Sequence, residues 1–342
     1  MRYLGGKSRI APAIHELIRA KAPTADCVTD LFAGSLAFSS YMKQAGFAVT
    51  TNDILFFSYA LSRGSVALNT RPDFAALEAH IGREPLQYLM QAQIPSPDPS
   101  DFVRLNYSPD SVPARMYLTT SNAARIDFCR RSLNSWRTTQ LLTDDGYFYL
   151  LACVIAALPF VSNTTGTYSS FLKYWDSRAL KDLPLQETAL FDNARTNTAL
   201  NMDAHLALGS LTGQVLYLDP PYNARQYLPN YHVLETVARY DNPPVRGVTG
   251  QRPGKDIRSP FCSKSTALPA LVDLLAAANF EHIVLSYNTE GVISPDELEQ
   301  TLRAAGCKGS FHKQVIPYRR YKSKVPNSTP GLSELVYYIR KF

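Results

Sequence analysis

The sequence is short of the features that mark metalloproteins, disulfide scaffolds and membrane proteins. Its 342 residues hold five cysteines, Cys27, Cys129, Cys153, Cys262 and Cys307, and no two form a C-x-x-C pair. That spacing excludes a zinc ribbon and a disulfide framework and points to a reducing compartment. The six histidines, among them His15, His80, His205 and His282, fall in different elements and offer no ligand spacing, so no metal is expected. The longest apolar run, Tyr147–Val161, falls short of the roughly 20 residues of a membrane span and contains Pro159. A buried helix is expected there, with no membrane partner. The opening residues carry Arg2, Lys7 and Arg9 and no apolar signal core, so a cytoplasmic protein is expected. Repeats and long low-complexity tracts are missing. Charge is modest at 19%, and 45% of residues are hydrophobic, the balance of an ordinary globular chain. Acidic residues are scarce in particular places. Basic residues outnumber acidic ones five to one over 2–21, six to two over 239–264 and seven to one over 313–341. The formal net charge is +6. Basic clusters interleaved with aromatics, such as Tyr318-Arg319-Arg320-Tyr321-Lys322-Ser323-Lys324, suit a phosphate backbone, although each alone also reads as a solvated face.

The most informative stretch is Val215-Leu216-Tyr217-Leu218-Asp219-Pro220-Pro221-Tyr222. The apolar run reads as a buried strand. Two prolines fix φ, remove backbone donors and end the strand. The carbonyl before each proline then lacks a sheet partner and can accept from a ligand. Asp219 adds a carboxylate acceptor and Tyr222 a flat ring. Such a site can hold a planar group with an exocyclic amine: two acceptors take the two N–H bonds and the ring covers the face. The bland alternative is a strand end with a Pro-Pro turn and a solvated acid.

The remaining elements supply a context. A helix is expected from Ser8, as N-cap, to Lys21. A strand over 27–32 runs into Ala33-Gly34-Ser35, a helix follows to Ala45, and a second strand over 47–51 leads to Asn52-Asp53. This is a βαβ unit with a glycine turn, and Asp53 lies 19 residues after Gly34, near the spacing at which an acid meets ribose hydroxyls. After a helix over 54–68 the α/β rhythm is lost from about 70 to 185. That insertion holds Pro95, Pro97 and Pro99, the basic segment Arg125, Arg130, Arg131 and Arg137, and the polar run Asn163–Tyr168. A third strand is expected within 189–198, a fourth over 215–218 and a fifth over 283–286. Helices are expected over 231–240, 266–279 and 294–305, the last with Ser294 and Glu297 as a capping box. Two late strands, 310–317 and 334–340, can form a hairpin. The segment 242–260 is too irregular for a core element and reads as a mobile or DNA-ordered loop.

Three motifs in order, Arg2-Tyr3-Leu4-Gly5-Gly6-Lys7, Asp30-Leu31-Phe32-Ala33-Gly34-Ser35 and, after a long insertion, Asp219-Pro220-Pro221-Tyr222, resemble the Dam-like (D12 class) DNA N6-adenine methyltransferases, alpha group. Asn163-Thr164-Thr165-Gly166-Thr167-Tyr168 and Tyr222-Asn223-Ala224-Arg225-Gln226-Tyr227 look like the restriction–modification members of that class. The resemblance implies an α/β, Rossmann-like, seven-stranded and mostly parallel S-adenosylmethionine-dependent sheet formed by 1–56 and 186–342, with an inserted, mainly helical target-recognition domain over 57–185. It implies S-adenosyl-L-methionine as methyl donor and double-stranded DNA as substrate. Tyr3 and Lys7 are expected at the methionine end of the donor, Phe32 and Gly34 at the turn it lies on, Asp53 at the ribose and Asp203 at the adenine amine. Asp219, Pro220, Pro221 and Tyr222 are expected to hold a flipped adenine. Arg125, Arg130, Arg131, Arg137, Tyr168, Lys173 and Arg225 are DNA-contact candidates. Tyr231, His232 and Glu235 are expected to pack and cap. A monomer on DNA, with a cognate endonuclease as a possible companion, completes the expectation.

Three rivals share parts of this pattern. An enzyme acting on N4 of cytosine more often carries Ser in place of Asp219. An RNA amino-methyltransferase usually lacks so large an insertion. A non-catalytic DNA-binding protein that keeps the fold has no need of an intact Asp219, Tyr222 and Gly34.

Overall fold

A computed structural model of the chain describes residues 6–94, 98–317 and 333–342. The prolines at 95 and 97 and the basic-aromatic cluster 318–324 lie outside the described residues, as does Tyr3. The chain divides into two compact units. One comprises Lys7–Ile54, Leu200–Tyr227 and Ile257–Phe342, and the other centres on Leu55–Ala199 and Leu228–Asp256.

The first unit is built on the expected sheet. Its strands are β1 (Cys27–Asp30), β2 (Ala48–Asn52), β3 (Thr198–Leu200), β4 (Thr212–Leu218), β5 (Asn279–Asn288), β6 (His312–Pro317) and β7 (Ser333–Arg340), ordered β3-β2-β1-β4-β5-β7-β6. β1 runs parallel to β2 and β4, β4 parallel to β5, and β7 antiparallel to β5 and β6. Parallel strands covered on both faces need continuous apolar sequence, which Val215–Leu218 and Ile283–Leu285 supply as fully buried runs. The late hairpin forms, but β7 inserts between β5 and β6, so β7 is interior to the sheet. The third strand lies at 198–200, at the C-terminal edge of the 189–198 window. The first helix begins at Ala11 and its N-cap position, Ile10, offers no side-chain cap, so Ser8 does not serve. The Ser294–Glu297 capping box is present, with each side chain bonded to the other's backbone N–H.

The second unit is helical, with helices at Phe56–Arg63, Ala75–Ile81, Pro85–Gln91, Phe102–Tyr107, Thr120–Thr138, Asp144–Val161 and Leu228–Arg239. Helix Asp144–Val161 is long and apolar enough to cross a membrane, yet most of it is buried inside this unit. It packs on helix Phe56–Arg63 through Gly64, where an added Cβ would stand 2.2 Å from the Phe148 carbonyl oxygen and 2.5 Å from Ala152 Cβ. Gly64→Ala is therefore expected to lower unfolding stability by about 1–3 kcal/mol, measured by urea denaturation, because backbone and not a flexible side chain must yield.

The partition differs from a clean insertion over 57–185. Residues 228–256 pack with the helical unit, because helix Leu228–Arg239 lies on helices Phe56–Arg63 and Asp144–Val161. Part of the expected loose loop over 242–260 is tied down. Arg115 donates to the Val248 and Gly247 carbonyls at 3.1 Å each, Tyr107 Oη donates to Gly250 O at 3.0 Å, and Arg246 pairs with Gln251. Three backbone carbonyls thus gain partners that the local sequence does not offer.

Candidate active site

The strand order reverses direction between β1 and β4, and in open α/β sheets ligands bind outside the carboxyl ends of the strands at such a point. Both sequence motifs leave the sheet at this place. Register pairs Asp30 with Tyr217, and Leu31 N donates to Tyr217 O at 3.1 Å, so the Phe32–Gly34 turn and Asp219 emerge side by side from adjacent strands.

The first motif forms a stitched cradle. Gly34 has φ 49°, a left-handed value that favours glycine, and its N–H donates to Asp53 Oδ2 at 2.8 Å. Ala33 N donates to Asn52 O at 3.0 Å, while Asn52 Nδ2 donates to Leu31 O and Met202 O at 3.2 and 3.1 Å. The structure thus brings together Phe32, Gly34, Asp53 and the Asn201–Asp203 segment. Phe32 meets Phe261 edge-on at 5.5 Å. Asp203 Oδ1 accepts from His205 N at 2.9 Å and so caps the short helix Ala204–Leu208. Asp53 and Asp203 both have a structural task beside the one expected of them.

The second motif meets a charge cluster. Lys7 Nζ lies 2.9 Å from Asp219 Oδ1 and 2.6 Å from Glu334 Oε1 on β7, and 5.3 Å from the centre of the Tyr222 ring. Lys7 and Glu334 are buried and Asp219 nearly so. Burial pulls the Lys7 ammonium down, but the Asp219 and Glu334 carboxylates more than offset it and hold the group well above its ordinary range. Burial pushes the Asp219 carboxyl up to about 7; Lys7 opposes this and Glu334 adds to it. Asp30, buried at the end of β1 and hydrogen-bonded to Ser39 Oγ at 2.5 Å, is likewise pushed up by burial to about 7. Beyond Asp219, Val292 N donates to Tyr222 O at 3.0 Å, and the Tyr222 ring meets Tyr287 edge-on at 6.0 Å. Gln226 pairs with the Ser259 backbone through both its amide atoms, which holds the Asn223–Tyr227 loop.

The DNA-contact candidates divide. Arg130 is fully buried, donating to Tyr147 Oη at 3.0 Å and Ala238 O at 3.3 Å. Tyr168 is buried with its hydroxyl 2.7 Å from Ser162 Oγ. Neither can meet a phosphate in this structure, and both are corrected to packing roles. Arg125 caps carbonyls, donating to Ala92 O at 2.7 Å, Arg131 is paired with Asp101 and Arg137 with Asp144. Lys173 and Arg225 are exposed. Tyr231, His232 and Glu235 are buried, as expected of packing residues. Among the described residues no cluster of His, Cys, Asp and Glu could hold a metal. Glu334 was missed by sequence reasoning. An acid at the start of a strand reads as a solvated end, and only the placement of β7 inside the sheet buries it.

The donor set suits S-adenosylmethionine. With both acids ionised, Lys7, Asp219 and Glu334 sum to one negative charge in a buried place, which complements a sulfonium cation. The aromatic Phe32 beside the Gly34 turn offers a surface for a purine.

Residues 3–301 match the family described as D12 class N6 adenine-specific DNA methyltransferase. The chain is 39% identical over its whole length to the modification methylase StsI of Streptococcus sanguinis and to the type II methyltransferase M.FokI of Planomicrobium okeanokoites, covering 52% and 53% of those proteins. The chain thus spans about half the length of these two relatives. It is 33% identical to the type II methyltransferase M.NlaIII of Neisseria lactamica, with 94% of this chain and 93% of that protein covered.

Proposed function

We propose, from the premise that the chain belongs to the D12 class N6 adenine-specific DNA methyltransferase family, that it methylates N6 of an adenine flipped out of duplex DNA. S-adenosylmethionine, when bound, supplies an electrophilic sulfonium methyl. The observation that carries the reading is the buried Lys7–Asp219–Glu334 cluster beside Tyr222, at the switch point of the sheet.

The N6 lone pair of adenine is delocalised into its ring, so the amine is a poor nucleophile. Asp219 and the Pro220 carbonyl accept its two N–H bonds, which favours tetrahedral character and frees the lone pair. Tyr222 covers the ring face and Pro221 fixes the turn that aims these groups. Once N6 has taken the methyl group that the donor would supply, the proton it loses would pass to Asp219 or to water. Positioning and electrostatics supply most of the acceleration. Phe32, Gly34, Asp53 and Asp203 would hold the donor's nucleoside end, and Lys7 and Tyr3 are the candidates for its methionine end. The helical lobe around residues 57–185 reads the sequence, with Lys173 and Arg225 as the exposed candidates for DNA contact. The names of the relatives, modification methylase and type II methyltransferase, support a place in restriction–modification. The reading extends to a monomer on DNA that shares its site with a cognate endonuclease.

The pH dependence follows from Asp219. Its pKa is raised to about 7, so its charge is complete well above that value and is lost as pH falls through it. kcat/KM for the methyl donor, which reports the free enzyme, is expected to fall on the acid side of about pH 7. A profile flat down to about pH 5 contradicts this.

The function itself is tested with a tritiated methyl donor and duplex DNA, RNA or no nucleic acid. Label entering duplex DNA alone is the expected result. Label entering RNA alone, or none entering either, overturns the proposal.

A further inference from the structure

Glu334 is the feature of the site that the proposed reaction leaves unused. It stands on β7 opposite Asn288 of β5, 3% exposed, and reaches Lys7 at 2.6 Å. A buried acid without a task is costly, since desolvating a carboxylate takes several kcal/mol even after relaxation. One lysine with one aspartate would already be neutral. The second acid makes the cluster negative, and does so next to where a cationic donor is expected.

The geometry points to Glu334 as a positioning residue that pins Lys7 between two carboxylates and keeps the cluster one charge negative, so that the site favours the cationic sulfonium donor over its neutral thioether product. The inference rests on the methyltransferase reading above. Methyl transfer removes one positive charge from the ligand sulfur, while the amino-acid and nucleoside parts are common to donor and product. A buried negative cluster therefore acts on the difference between them, and buried charges are weakly screened. Among the described residues, the charged and titratable groups that act on the cluster include Asp30 of β1, Tyr217 of β4 and Tyr222 beyond it.

The test is equilibrium binding of S-adenosylmethionine and S-adenosylhomocysteine to the full chain, unmodified and as Glu334→Gln and Glu334→Asp. In Glu334→Gln the preference, taken as the ratio of the two Kd values, is expected to shift roughly tenfold against the sulfonium ligand. Thioether affinity is expected to change less than about twofold. Glu334→Asp keeps the charge and is expected to keep the ratio. An unmoved ratio in Glu334→Gln, or equal loss of both affinities, overturns the inference and leaves Glu334 a packing residue. A measurement on the unmodified protein guards against a variant that does not fold. Asp219 gains a proton as pH falls through about 7, so the cluster becomes neutral and the same ratio must shift the same way. A ratio constant from about pH 8 to 6 overturns the inference. If the unmodified chain binds neither ligand, the methyltransferase reading fails and this inference falls with it; if both bind with an unmoved ratio, only the inference fails.

Discussion

Asp219→Ala is expected to retain less than about a thousandth of the unmodified turnover and still to bind the methyl donor to within about tenfold. The asymmetry comes from what Asp219 touches. Removing it deletes the proposed acceptor for the amine and the group beside which Lys7 is held at 2.9 Å, while the Gly34–Asp53 cradle is bonded independently. Lys7 keeps Glu334 as a partner at 2.6 Å, so the ammonium is not stranded and the local fold survives. One buried negative charge is lost, which is the reason donor binding is expected to weaken modestly. Single-turnover methyl transfer and donor titration on the same sample check both halves. Turnover within about tenfold of the unmodified protein removes Asp219 from the chemistry.

Glu235→Ala is expected to cost about 3–5 kcal/mol of stability. Glu235 is fully buried on helix Leu228–Arg239 and caps a different helix. Its Oε1 accepts from Phe56 N at 3.0 Å and its Oε2 from Phe57 N at 2.9 Å, at the start of helix Phe56–Arg63, whose N-cap residue Leu55 has no side chain to offer. Arg239 Nε donates to the same carboxylate at 2.6 Å. Deletion leaves two helix N–H groups and a guanidinium without their acceptor. Glu235→Gln keeps the shape and one acceptor oxygen and is expected to lose less. Chemical denaturation measures both, and a loss below about 1 kcal/mol for the alanine variant contradicts this account of the cap.

How legible these features were depends on how local their causes are. The βαβ unit and the end of β4 could be read because glycine, proline and apolar runs dictate backbone at their own positions. The place of β7 could not, since nothing in Ser333–Arg340 states that it inserts between β5 and β6. Glu334 was lost for that reason. Arg130 and Tyr168 misled because residue type suggests a surface while segments well away in sequence bury them: Ala238 accepts from Arg130, and Asn230 and Tyr117 hold the Tyr168 backbone. Arginine and tyrosine carry long apolar stems and can be buried once their polar ends are met. Glu235 was read as a packing or capping residue, but the helix it caps lies about 180 residues earlier in the chain, beyond the reach of any local pattern.

The most direct test of the central claim identifies the methylated base. Duplex DNA incubated with the protein and S-adenosylmethionine, then digested to nucleosides and analysed by mass spectrometry, is expected to contain N6-methyladenine and no other new methylated nucleoside. N4-methylcytosine in its place, or unmodified DNA from protein that binds the donor, contradicts the account.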